Sequence, residues 1–222
     1  PSGEAVILDA QRIARCIQRI ARQILEDHHS ADRIVVAAIE GQGRVLAERI
    51  VTELRNIEAQ ETLFCVLGMD KEAPLDHPME LEAHDGTPFE SALMAGAVVI
   101  VVDDVLNSGR TLLHGVAHFL PSRPRHVGTC VLVDRIHRRF PVRADYVGQS
   151  LSTNLKAHIS VELSGPGPDV ALLKDDEARL EHAPVDGAQD GVVGSLGIDC
   201  EDHQPIGRGV AAAAAQAKGD LD

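Results

Sequence analysis

The sequence predicts an α/β fold, a mostly parallel central sheet flanked by helices, with a small hood. Three observations lead there. The run Val98-Val99-Ile100-Val101-Val102 is too apolar for a strand with one wet face and too short to cross a membrane, so it reads as a buried parallel strand. It ends in Asp103-Asp104, a short loop of small polar residues and a helical pattern. Residues 33–39 likewise form a strand, apolar after Arg33, that meets Glu40-Gly41-Gln42-Gly43 and then a second helical pattern, so strand–turn–helix occurs twice.

In chain order, residues 6–8 are apolar and Asp9 can cap a helix reaching about residue 27. Ile13, Ile17, Ile20 and Ile24 recur at helical spacing, which leaves Arg12, Arg15, Arg19 and Arg22 for a solvated face or an interface. His28 and His29 suit the negative end of the helix dipole better than a metal. A strand over 33–39, a helix over 44–55 and a strand over 62–69 follow. Residues 70–91 lack periodicity and carry Pro74, Pro78 and Pro88; a loop this long inside a domain is expected to serve function. A helix over 111–120 stops at Pro121 and Pro124. Residues 127–133 form another buried strand, and 159–163 and 170–173 close the domain. Beyond residue 174, Asp, Gly and Ala dominate, so 1–174 is expected to be the domain and 175–222 a disordered acidic tail.

Composition narrows the function. Of 222 residues 44% are hydrophobic but only 2% aromatic, so Val, Ile, Leu and Ala must build the core. The formal charge is −13; residues 175–222 hold eleven acids against three bases and account for −8, leaving −5 on the domain. A general nucleic-acid surface is therefore not expected. No run is long enough to span a membrane, and no signal sequence opens the chain. Cys16, Cys65, Cys130 and Cys200 show no C-x-x-C spacing, and the three that lie in apolar patterns read as buried free thiols of a reducing cytoplasm.

The two turns carry the chemistry. Where a parallel strand hands over to a helix, backbone N–H groups point outward and the helix dipole favours an anion, and Gly109 would let the chain approach it closely. Asp103 and Asp104 could hold hydroxyls or a hydrated metal ion. Residues 98–111 resemble the phosphoribosyl-diphosphate (PRPP) signature of the type I phosphoribosyltransferases: apolar strand, two acids, two apolar residues, then a Ser-Gly-x-Thr loop. The resemblance implies that fold, an Mg²⁺ cofactor bound indirectly through PRPP and water near Asp103 and Asp104, and ribose hydroxyls held by both acids. It further implies that Val105, Leu106, Asn107, Ser108, Gly109, Arg110 and Thr111 bind PRPP, with 107–111 around the 5′-phosphate. Asn107 departs from the usual small or hydroxyl residue. Glu40, Gly41, Gln42, Gly43 and Arg44 then match the pyrophosphate loop, although uracil-type relatives place an arginine between the small residues. Taken alone, this turn has a plain helix start as its less favoured alternative. Residues 70–91, together with the chain ends, would be the hood, and Lys71 its candidate cation for the departing pyrophosphate, beside the equal alternative of a solvated lysine.

Residues 131–148 resemble the pyrimidine operon attenuator/uracil phosphoribosyltransferase family, whose pattern is close to V-L-V-D-R-x-H-R-x-x-P-I-R-x-D-[YF]-V-G-K. Ile136 and Gln149 depart from it. The resemblance assigns Asp134, Arg135, Tyr146 and Val147 to the base. Purine-specific relatives have lysine at the place of Asp134, and an aspartate would repel a 6-oxo acceptor, so uracil is favoured over hypoxanthine or guanine. Tyr146 would stack on the base; the alternative is a core aromatic with its hydroxyl satisfied. Arg135, Arg138, Arg139 and Arg143, with His137, form the most basic segment. Attenuator relatives bind messenger RNA through basic surfaces, but a solvated or dimer-facing cluster is the preferred reading here. The partners implied are PRPP and a nucleobase, with a homodimer or higher homo-oligomer. Two other functions stay open: a PRPP- or nucleotide-binding regulator with little catalysis, and a phosphoribosyltransferase for another base.

Overall fold

The computed structural model describes residues 4–57, 61–71, 73–74, 76, 78–136, 138–152, 157–165 and 167–175. Apart from Asp175, the tail expected over 175–222 lies outside the described residues, as do His137 and Cys200.

Six strands form the central sheet: β2 (Arg33–Ile39), β3 (Glu61–Gly68), β4 (Glu80–Ala83), β5 (Val98–Leu106), β6 (His126–Arg135) and β7 (Tyr146–Leu151), in the order β4-β3-β2-β5-β6-β7. Neighbours are parallel except β3 and β4. Helices α1 (Ala10–Asp27) and α2 (Gln42–Ile57) cover one face, and α3 (Arg110–Phe119) covers the other. Ile34, Val36, Ala38, Val98, Ile100 and Val102 pack under α1 and α2, while Val35, Ala37, Ile39, Val99 and Val101 pack under α3. Burial on both faces is why these strands are continuous apolar runs. After β2 the chain first moves to β3 on one side, then returns to β5 on the other. The carboxyl ends of β2 and β5 therefore flank the point where strand order reverses, the place such sheets bind ligands.

The sequence sets α1 closely. The Asp9 carboxylate accepts from Arg12 N at 2.8 Å, and Ile13, Ile17, Ile20 and Ile24 are buried along one stripe. Burying each such side chain stabilises by roughly 1.5–3 kcal/mol before entropy is counted. Arg19 departs from the expected solvated face: its Nη2 donates to the carbonyls of Val147 and Gly148 at 3.0 and 2.8 Å, tying α1 to β7. His28 departs from its expected role too. It packs against the His126 ring at 4.8 Å, and burial first, then His126, lowers its pKa, so it disfavours the cationic form that a dipole contact needs.

The hood differs from expectation. Within 70–91, Glu80–Ala83 pairs with β3 as the antiparallel edge strand of the main sheet, and the chain folds back so that Phe89 N donates to Leu81 O at 2.9 Å. The chain ends make a separate antiparallel sheet, β1 (Glu4–Asp9), β9 (Val170–Asp175) and β8 (Ala157–Glu162), in the order β1-β9-β8. Leu8, Ile159, Val161 and Ala171 bury it in the core shared with α1 and α2. Among the described residues no helix is long and apolar enough to cross a membrane.

Candidate active site

β5 runs through both acids to Leu106, beyond its apolar run. Asp103 is 5% exposed and Asp104 half-buried. Asp103 Oδ1 accepts from the Asp104 N–H at 3.0 Å and from Lys71 Nζ at 3.4 Å. Burial pushes the Asp103 carboxyl up, to about 7; the Lys71 ammonium pulls the other way, and Asp104 adds to the push. A cavity of about 110 Å³ opens here, lined among others by Asp103, Asn107, Ser108, Gly109 and Thr111.

The loop after β5 has the shape an anion site requires. Gly109 adopts φ 87°, left-handed backbone that a side chain would strain, and α3 starts at the next residue. Arg110 N donates to Ser108 Oγ at 3.3 Å, so one amide is already engaged. The Ser108 and Gly109 N–H groups have no partner among the described residues.

The turn after β2 lies against the acids. Gly43 is buried, and a Cβ there would stand 3.1 Å from Asp103 Cα and 3.2 Å from Asp103 Oδ1. Gly41 has φ 105°, and its Cβ would stand 3.8 Å from Lys71 Nζ. Gly41, Gly43, Lys71 and Asp103 therefore converge. Two neighbours turn elsewhere. Gln42 Oε1 accepts from Leu163 N at 2.9 Å and its Nε2 donates to Ser164 Oγ at 3.3 Å, so its side chain tethers the small sheet. Arg44 Nε pairs with Glu48 at 3.0 Å along α2. Glu40 is exposed.

The residues expected at the base are only partly brought together. Tyr146 is corrected: it is 4% exposed in the α1-side core, and its hydroxyl donates to Asp27 at 3.0 Å and meets His28 Nε2 at 3.1 Å. Burial and the Asp27 bond push that hydroxyl's pKa up, keeping it a donor. Strand alternation turns Tyr146 toward α1, so its ring cannot stack on a ligand. The Val147 carbonyl is taken by Arg19. Arg135 reaches back to Asn107 Oδ1 at 2.7 Å. Asp134 pairs with Arg138 at 2.6 Å, and its Oδ1, like Arg138 Nε, is buried without a partner. The contacts of Arg138, Asn107 and Gln42 were not foreseen: those of Asn107 and Gln42 join segments remote in sequence, and Arg138 itself lies in an irregular loop with no period.

Mg²⁺ fits this donor set in one way. Among the described residues no group of three or more His, Cys, Asp or Glu side chains is placed to hold a metal. Two neighbouring carboxylates are what an ion carried mainly by substrate oxygens and water would need.

Residues 5–164 match the phosphoribosyl transferase domain family. The bifunctional protein PyrR of Staphylococcus aureus strain bovine RF122 / ET3-1 is 35% identical over 166 residues, covering 72% of this chain and 93% of the relative. The protein of the same name from strain JH9 is 34% identical with the same coverage. Among solved structures, the hypoxanthine phosphoribosyltransferase of Trypanosoma cruzi superposes with TM-score 0.61 at 17% identity, covering 77% of this chain and 97% of that one. A hypoxanthine-guanine phosphoribosyltransferase from Bacillus anthracis gives 0.55 at 21% identity, covering 68% and 84%. At those identities the two structures speak for the fold alone. The chain therefore belongs to the type I phosphoribosyltransferases, which act on PRPP, and within them to the company of the PyrR proteins.

Proposed function

We propose that this protein transfers the 5-phosphoribosyl group of PRPP to a ring nitrogen of uracil, giving UMP and pyrophosphate. The observation that carries the reading is the convergence of the two strand–turn–helix loops on Asp103: Gly43 in contact on one side, the 107–109 loop on the other, and Lys71 at 3.4 Å. Spanning that gap, the sugar is gripped at both ends. Asp103 and Asp104 orient the ribose hydroxyls. The 107–111 amides and the α3 start hold the 5′-phosphate, with Val105 and Leu106 as the rigid strand end behind them. Backbone N–H groups of the 40–44 turn and the Lys71 ammonium take the pyrophosphate. Asp103 and Asp104 would hold Mg²⁺ only indirectly, and the ion would supply neutralising charge to the leaving group. Ribose acquires oxocarbenium character as the bond to pyrophosphate breaks, so positioning and electrostatics supply the acceleration.

Uracil is supported by the likeness to the PyrR proteins and by Asp134, an acid at the place where a purine's 6-oxo acceptor would call for a donor. With Tyr146 in the core, Asp134 is the base contact in this reading. A homo-oligomer in the cytoplasm belongs to the same proposal; RNA binding does not. A second reading, a PRPP-binding regulator with little turnover, is favoured by Gln42 and Arg44 turning away, which leaves Lys71 as the cation at the pyrophosphate turn among the described residues. Labelled PRPP with a panel of bases separates the readings. UMP formation supports the first. Turnover with a purine instead overturns the choice of base. Mg²⁺-dependent PRPP binding with no turnover on any base supports the regulator.

A further inference from the structure

We propose that Arg135 is a positioning residue for the phosphate loop, acting through Asn107. The inference rests on residues 107–111 holding the 5′-phosphate. Arg135 ends β6 at 7% exposure, and its Nη1 donates to Asn107 Oδ1 at 2.7 Å. A part-buried guanidinium bond of this length is stronger than a neutral one. Asn107 is itself exposed, the first residue past β5, where the chain leaves the sheet's support.

The segment after Arg135 grips the next two residues. Arg139 N and Phe140 N both donate to Ser108 O, at 3.0 and 3.1 Å. Gly109 is backed by Val142 and Phe140; a Cβ on it would lie 2.6 Å from Val142 Cγ1. The β6–β7 connection thus splints 107–109 from outside, through a side-chain oxygen, a carbonyl and a bare Cα. None of these uses the Ser108 or Gly109 N–H. Donors held in place before the anion arrives need no reordering when it binds, and releasing the splint returns that cost. The substitution of Asn for a small or hydroxyl residue at 107 gives Arg135 an acceptor long enough to reach.

The test is calorimetric titration of the full chain with ribose 5-phosphate and, separately, with pyrophosphate and Mg²⁺. Asn107→Ala and Arg135→Gln are each expected to weaken ribose 5-phosphate binding about tenfold, with the double variant no weaker than either single and pyrophosphate affinity unchanged. Arg135→Lys, which keeps a cationic donor, is expected to recover part of the loss. Additive losses, unchanged ribose 5-phosphate affinity, or a parallel fall in pyrophosphate affinity would overturn the role. If Arg135→Gln does not fold, Asn107→Ala at its exposed position reads the same bond. Wild-type protein that binds neither ribose 5-phosphate nor PRPP removes the proposed function and this inference together, whereas wild-type binding with failed variants removes the inference alone.

Discussion

Asp103 and Asp104 are chemically identical neighbours in different surroundings. Asp103 is buried and its carboxyl is raised to about 7, while Asp104 keeps contact with water. An unfolded aspartate titrates near ~3.9. Between that value and about 7 the folded chain therefore binds more protons than the unfolded one, and Asp103's contribution to stability is lost as pH rises through this window. Asp103→Asn, which mimics the neutral form, is expected to melt above the wild type at about pH 8 and to converge with it toward about pH 4. A gap independent of pH would count against burial as the cause. Asp104→Asn is expected to lower turnover by at least about a hundredfold with an unchanged circular dichroism spectrum. Wild-type rates in that variant would remove Asp104 from the ribose site. The paired acids were legible in the sequence because they interrupt an apolar run; the Lys71 contact was only a candidate, since nothing local fixes where a loop lysine points.

At the level of elements, the site depends on how closely the α2 start approaches the β5 end. Gly43 allows it: a Cβ would meet the Val102 carbonyl and the Asp103 Cα, both at 3.1 Å, and backbone cannot step aside as a flexible side chain can. Gly43→Ala is expected to cost roughly 1–3 kcal/mol in denaturant unfolding and to weaken pyrophosphate binding by displacing the 40–44 turn from Asp103. Full stability would show that the helix shifts freely. Helices α1 and α3 were readable from apolar spacing and from their caps or stops. The role of Tyr146 was not. Its sequence neighbours match a family pattern, but whether a strand residue faces α1 or a ligand depends on register, and a step of one residue inverts every side chain. Cys130 opposite Tyr146 and Asp27 at the end of α1 settle that register. The edge strand β4 was equally hidden, since four residues of mixed polarity carry no period.

Across the whole molecule, the small sheet of the chain ends is fastened to α2 beside the site. Arg49 pairs with Asp169 and donates to Leu163 O at 2.8 Å, while Gln42 bonds both Leu163 and Ser164. The ion pair is about one third exposed, so most of its value lies in the hydrogen bonds it completes. Arg49→Ala is expected to cost about 1 kcal/mol, a fall in Tm of roughly 2–4 °C for a domain of this size. Hydrogen exchange is expected to rise first in β8 and β9; uniform exchange would mean the sheet is held by its apolar face alone. The sequence by itself determined the α/β class, the buried strands, the two turns and the acids at the β5 end. Each of these is written in local periodicity, in glycine placement or in a short motif. Only the tertiary structure decided that Tyr146 belongs to the core, that Gln42 reaches Leu163 and Ser164, that the two ends of the domain form their own sheet, and that Arg135 bonds Asn107. The physical reason is range. A backbone pattern is set by neighbours a few residues apart, whereas these side-chain contacts join segments far apart in the chain or turn on register and loop geometry, and they exist only once packing has chosen each face.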